Sequence, residues 1–472
     1  MLDLAIVGAT AVTPSGVRPA DIGVAAGKIA QIAAPGQLEA ATRTIDARAM
    51  LLLPGAVDPH THLDAEMFNS STIDDFESGT VAAAAGGVTT IVDYAFQTAG
   101  GTLDQALEKW RAKAESKAII DYGFHLALLD PSPEAIAEIP RAVERGVTSF
   151  KIFMMLGFEA RARDYLRAFK VAGESGALLT IHAEDEHLIG FCTERLLAAG
   201  KHSVAHFAAS RPPLSESAAV ARALAMTELA DAPAYFVHLS SADAIAEIRR
   251  ARADGRIVLA ETRPIYLYLT EERFLEPDGA KYVGYPPLRD AANRDAIWTA
   301  LADGTVDVVA TDHCSWKLER KLAADRFTRI VPGMSNLETL VPMLYSEGVV
   351  KKRISLSRMV ELVATNPAKI FGMYPEKGAI VEQADADLVI FDPNRNVVIK
   401  SHEMHSRADY DPFEGFEITG WPIMTLSRGE TLITDRNEVG ETDRNERARR
   451  GRGEFIRRAR FSPSWRTLHD PA

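Results

Sequence analysis

Residues 51–64 read Leu-Leu-Leu-Pro-Gly-Ala-Val-Asp-Pro-His-Thr-His-Leu-Asp, an apolar run that ends in a pair of histidines. A run that is apolar at consecutive positions has no polar face to offer water. It suits a strand of a parallel sheet covered on both sides. Similar runs follow at Val88 to Ala95, Tyr122 to Leu129, Val147 to Met154, Leu178 to Glu184, Tyr235 to Leu239, Ile257 to Thr262 and Val306 to His313. Between most of them lie stretches of helical period, among them Leu103 to Lys117, Pro133 to Arg145, Ala218 to Leu229 and Ala242 to Ala253. About eight strand–helix units over roughly 260 residues match a (β/α)8 TIM-like barrel. A doubly wound open sheet is the alternative, but no Gly-x-Gly-x-x-Gly follows the first strand.

The flanks read differently. Residues 1–50 alternate apolar and polar positions in short runs punctuated by Gly and Pro, which predicts a small β module of hairpins. The barrel with its trailing helices (Ser357 to Ala364, Pro367 to Phe371) is expected over 51–375. The β pattern resumes at Asp387-Leu-Val-Ile-Phe-Asp, and 376–440 are expected to complete the N-terminal module. Residues 441–472 are rich in arginine (Arg447, Arg449, Arg450, Arg452, Arg457, Arg458, Arg460) and read as a solvated or subunit-contacting arm.

Composition narrows the function. The 472 residues carry 53 Lys and Arg against 65 Asp and Glu, a net charge of −12, and the main body has no clustered basic face. That argues against nucleic acid as a partner. The only two cysteines, Cys192 and Cys314, lie far apart, which excludes a disulfide framework and fits a reducing cytoplasm. The start, MLDLAIVGATAVTPSG, reads as a strand and turn rather than a signal peptide, and no stretch near it is long enough to span a bilayer.

The chemistry gathers where the strands end. In an extended chain residues i and i+2 point the same way, so His60 and His62 face one spot. Other runs end in Thr180-Ile-His182-Ala-Glu184, Phe236-Val-His238-Leu-Ser240 and Ala310-Thr-Asp312-His313. Histidine with carboxylate and no nearby Cys pair suits Zn²⁺ or Mn²⁺ in an open catalytic site. Lys151, in Ser149-Phe-Lys-Ile-Phe-Met, points toward the same rim. Beside cations its ammonium would be disfavoured, and the neutral amine can take up CO₂ to give a carboxylate-like carbamate.

These motifs, with Ser210-Arg-Pro-Pro, Tyr282-Val-Gly-Tyr-Pro-Pro-Leu-Arg289, Asn366-Pro-Ala-Lys-Ile-Phe-Gly and Asp385-Ala-Asp-Leu-Val-Ile, resemble the dihydropyrimidinase/hydantoinase branch of the amidohydrolase superfamily over nearly the whole chain. The resemblance implies a binuclear centre. His60, His62 and Asp312 would hold one divalent ion, and His182 and His238 the other. Carbamylated Lys151 and a hydroxide would bridge them. It also implies ring opening of a small cyclic amide, imide or ureide by that hydroxide, with Asp312 moving the proton, and a homo-oligomer, tetramer or dimer. An allantoinase- or dihydroorotase-like ring opener and a non-catalytic scaffold homologue are the alternatives. The scaffold reading loses ground because His60, His62, Lys151, His182, His238 and Asp312 are all present.

The chain departs from the family on the substrate side. Leu156 stands where the family carries a Tyr whose hydroxyl donates to the substrate, Tyr285 replaces a Ser, and Pro332 replaces an Asn. Family members contact substrate at the latter two chiefly through backbone atoms. With Met67, Phe68, Phe96 and Phe158, Leu156 is expected to line an apolar pocket for a ring substituent.

Overall fold

The computed structural model describes residues 1–98, 100–434 and 450–468. Eight parallel strands form the barrel in chain order: Ala56–Thr61, Val88–Phe96, Asp121–Ala127, Ser149–Phe153, Leu178–His182, Ala234–Phe236, Val258–Thr262 and Val308–Val309. Thr61 pairs with His313, and the His62 amide donates to the His313 carbonyl at 2.9 Å, joining the last strand to the first. The fold is therefore the (β/α)8 barrel with a separate β module that the apolar runs predict. The helices between strands start on strong caps. Thr102 and Gln105 form a capping box ahead of Leu103–Glu115, and Ser241 caps Ala242–Ala253.

One expected strand splits in two. Leu51–Pro54 leaves the barrel and joins the outer sheet, while Ala56–Thr61 opens the barrel. Gly55 stands at the break, where a Cβ would lie 2.0 Å from Thr89 Oγ1. The run looks continuous in sequence because both halves are buried. The outer sheet combines both ends of the chain: Leu51–Pro54 pairs with Leu388–Val398, which continues the sheet through Glu417–Ser427 to Glu430–Thr434. Ile6, Ile22, Leu52, Ile380, Leu388 and Leu426 form its core.

The described part of the arginine-rich tail departs from the expectation. It is not a solvated arm: residues 450–468 run across the N-terminal face of the barrel. Phe455 stacks on Phe124 at 5.8 Å, and Phe461 and Trp465 pack against Val57, Val92, Leu178 and Val308 inside the strands. Arg458 is 3% exposed and donates to the Phe124 carbonyl (2.5 Å) and Ser149 Oγ (2.8 Å). Residues 441–449, with Arg447 and Arg449, lie outside the described residues.

A buried cation joins the sheet to the barrel. Lys377 Nζ sits 2.6 Å from Asp121 and 2.8 Å from both Asp385 and Asp387. Its three partners hold the ammonium protonated against the effect of burial. Lys377→Ala takes the shared cation from buried Asp121 and Asp387 and half-buried Asp385, leaving Arg428 on Asp121 and Lys28 on Asp385. Breaking a buried network by removing one partner costs about 3–5 kcal/mol. We expect a loss of that size in urea unfolding. A loss below about 1 kcal/mol would show the carboxylates to be solvated instead.

Candidate active site

The C-terminal ends of the strands enclose a cavity of about 470 Å³. His60, His62, Lys151, His182, His238 and Asp312 all face it. His60 Nε2 is 3.3 Å and His62 Nε2 2.9 Å from one oxygen of Asp312, Oδ1. The His182 and His238 rings stand 4.5 Å apart, and His238 is 5.4 Å from His60. Candidate ligand atoms of His60, His238 and Asp312 lie within 4.8 Å of one another.

Buried carboxylates behind the ring orient the imidazoles. Glu261 lies 2.7 Å from His60 Nδ1 and accepts from the His238 amide (3.1 Å) and the Tyr235 hydroxyl (2.8 Å). Glu184 lies 2.8 Å from His182 Nε2 and is gripped by both Nε and Nη2 of Arg211, at 3.0 and 2.6 Å. Each carboxylate fixes one ring nitrogen and leaves the other for the cavity. His238 (φ 42°) and Asp312 (φ 48°) both adopt left-handed backbone. Non-glycine residues in that region cost roughly 1–3 kcal/mol each and cluster at functional sites.

Electrostatics favour cation binding. Burial, with the neighbouring cationic groups, pushes the pKa of His60 and His238 well below the ordinary imidazole value, and burial lowers His62 and His182. All four rings are therefore neutral, the form that binds metal. Burial raises Glu261 to about 8 and lowers Lys151 to about 7, against the pull of the Asp312 and Glu261 carboxylates. Burial would raise Asp312, but the Arg263 guanidinium, His60 and His62 outweigh it and hold its carboxyl well below the usual range. His60 Nε2, His62 Nδ1, His238 Nδ1 and Lys151 Nζ are buried without a hydrogen-bond partner among the described residues. Lysine Nζ sits 4.6 Å from the Tyr94 ring centre and 5.2 Å from that of Phe153. Unmatched nitrogens around neutral imidazoles and a carboxylate fit divalent cations.

The expected substrate-side residues Leu156, Tyr285, Pro332, Phe68 and Phe96 line the same cavity, as does Met67. Leu156 (55% exposed) and Phe68 (47%) form its mouth. Phe158 does not belong there: it is buried and stacks on Tyr165 at 4.8 Å. Tyr285 lies under the Arg211 guanidinium, 3.9 Å from ring centre to Cζ. The Pro332 carbonyl accepts from Trp316 Nε1 at 2.8 Å. Burial raises the Cys314 thiol to about 12, so it is no nucleophile. The sequence reading missed Arg263, which lines the cavity beside Asp312, and the carboxylate props Glu261 and Glu184. Glu184 is two residues from His182, a spacing that could have pointed to it.

A closed parallel barrel with a histidine–aspartate–lysine ring at its C-terminal rim defines the class of metal-dependent barrel hydrolases. Comparison with known proteins agrees. The amidohydrolase family model matches residues 51–432. The chain is 42% identical to the D-hydantoinase of Rhizobium radiobacter over 93% of its own length and 97% of the relative's. It is likewise 42% identical to the D-hydantoinase of Geobacillus stearothermophilus, over 91% and 93% of the two chains. The crystal structure of dihydropyrimidinase from Brevibacillus agri NCHU1002 superposes with a TM-score of 0.91 at 38% identity, covering 97% of this chain and 99% of that one. The chain belongs to the amidohydrolase family, in its hydantoinase/dihydropyrimidinase branch. It is a hydrolase of C–N bonds in cyclic amides.

Proposed function

We propose that the enzyme opens a hydantoin- or dihydropyrimidine-type ring carrying an apolar substituent. The observation that carries this reading is the convergence of four neutral imidazoles, Lys151 and Asp312 on one cavity with a mouth of Leu156, Phe68 and Leu129. His60, His62 and Asp312 would hold one divalent ion, Zn²⁺ or Mn²⁺, and His182 and His238 the second, with Lys151 joining them as its carbamate. Such ions, when bound, supply an activated water and a polarised carbonyl. Asp312 accepts the water's proton and delivers it to the departing ring nitrogen, which leaves poorly until protonated. Glu261 and Glu184 keep the imidazoles in the tautomer and orientation that present a lone pair. The apolar mouth shelters the ring substituent from water.

The test is a hydrolysis panel of 5-substituted hydantoins, dihydrouracil, cyclic imides, allantoin and dihydroorotate, run beside metal analysis of the same preparation. Ring opening of substituted hydantoins with about two ions per chain supports the reading. Turnover only of allantoin or dihydroorotate would move the enzyme to the polar-ring alternative, and no bound metal under metal-replete conditions would favour the scaffold.

Leu156 sets the substituent preference. Tyr at 156 adds a hydroxyl and bulk at the mouth, so Leu156→Tyr should lower kcat/KM for bulky 5-substituted hydantoins by about 10–200-fold, while unsubstituted rings gain or hold. Equal losses on both would make Leu156 a packing residue. We also propose a homo-oligomer in a reducing cytoplasm. Phe191, Leu214 and Leu229 stand 61–77% exposed on helices Glu186–Ala198 and Pro213–Ala230, which supports a subunit contact. Among the described residues no helix is long and apolar enough to cross a membrane.

A further inference from the structure

Arg263 follows the seventh barrel strand, is fully buried and fronts the cavity. A buried guanidinium is costly unless its five N–H donors meet acceptors. Nε donates to the Thr311 carbonyl at 3.3 Å, and Nη2 reaches the Asp312 carbonyl at 3.5 Å. Nη1 stands 3.0 Å from Asp312 Oδ2 as an ion pair, yet has no aligned hydrogen-bond acceptor among the described residues. On one side the guanidinium is boxed in: a Cβ on Gly284 would come 3.2 Å from Nη1 and 2.9 Å from the Met334 methyl. Much of the cavity lining, Met67, Phe68, Phe96, Phe153, Leu156 and Pro332, has no side-chain N–H or O–H to offer a substrate oxygen. A charged donor, ion-paired with Asp312 but with no aligned hydrogen bond from Nη1, therefore stands beside the group proposed to move the proton.

The geometry points to Arg263 as a catalytic residue that binds the substrate oxygen on which negative charge appears, and then the carboxylate that replaces it. This rests on the ring-opening reading above. The water oxygen bonds to the ring carbonyl carbon, the C=O π pair moves onto the oxygen facing Nη1, and the water's proton passes to Asp312. On collapse the C=O bond re-forms, the C–N bond breaks with its pair going to nitrogen, and Asp312 returns the proton there; the new acid gives its remaining hydroxyl proton to solvent and becomes the carboxylate. The substrate oxygen also takes Nη1 away from Asp312 Oδ2, which frees that oxygen for the proton. A donor preorganised in a water-poor site contributes most where charge develops.

The test uses metal-replete wild type, Arg263→Met, Arg263→Lys and Arg263→Ala, with metal content measured on each. Product binding is read by calorimetry with N-carbamoylphenylglycine, a ring-opened product bearing a carboxylate and an apolar group. Arg263→Met should keep its metal, bind that product at least tenfold more weakly, and lose about 10²–10³-fold in kcat with KM little changed. Arg263→Lys should recover part of the product affinity, and added guanidinium should restore part of the turnover of Arg263→Ala. Unchanged product affinity in Arg263→Met would overturn the assignment. So would metal loss that accounts for the whole rate deficit, since Arg263 would then act only by holding Asp312. A wild type that opens no ring on the panel would sink the ring-opening reading instead, a result that no Arg263 variant produces.

Discussion

Lys151→Ala should yield a folded protein that has lost most of its second metal ion, and with it at least about 10³-fold in turnover. The fold should survive because Lys151 Nζ makes no hydrogen bond that its loss would break, and it lies among the faces of Tyr94 and Phe153. The activity should not survive, because the proposed carbamate would be lost with the side chain. Metal analysis gives the stoichiometry, thermal unfolding the integrity, and hydantoin hydrolysis the rate. Two tightly held ions together with near-normal turnover would remove Lys151 from the centre.

Asp312→Asn is the second large effect. The amide keeps an oxygen for the contacts that Oδ1 makes with His60 and His62 at 3.3 and 2.9 Å. It cannot take a proton from water and return it to nitrogen, so kcat should fall by about 10³-fold or more. The same change leaves the buried Arg263 guanidinium without its counter-ion, and removing one partner of a buried pair costs about 3–5 kcal/mol. Adding Arg263→Met to Asp312→Asn should therefore recover much of the stability and none of the turnover. A single variant with nearly unchanged kcat would mean that another group moves the proton.

Much of this architecture is legible in the sequence because burial on both faces leaves a mark that water-facing strands do not. Every apolar run from Val88 onward overlaps one barrel strand, and Lys151, His182, His238 and Asp312, carried in or just beyond those strands, line one cavity. The same mark misleads at Leu51–Pro54, where burial in a different sheet looks like burial in the barrel. Arg458 was illegible for the opposite reason: composition counts its charge, while its partners, the Phe124 carbonyl and Ser149 hydroxyl, lie far back in the chain. Arg263 and Glu261 were invisible as functional groups for a related cause. Their meaning lies in what they touch across the barrel, Asp312 for one and His60 with His238 for the other, and no spacing encodes that.

The outer sheet has a consequence for how the protein is made. Leu51–Pro54 pairs with Leu388–Phe391, so the whole barrel separates the two partners in the order of synthesis. At roughly 5–20 residues per second the ribosome needs on the order of tens of seconds to deliver the second partner. Through that interval the strands of the first 54 residues present an unpaired edge, the kind of surface that recruits other chains. The growing polypeptide therefore carries an edge open to other chains until its late strands arrive. Yield in a host should then respond to translation speed and temperature more sharply than the stability of the finished enzyme would suggest.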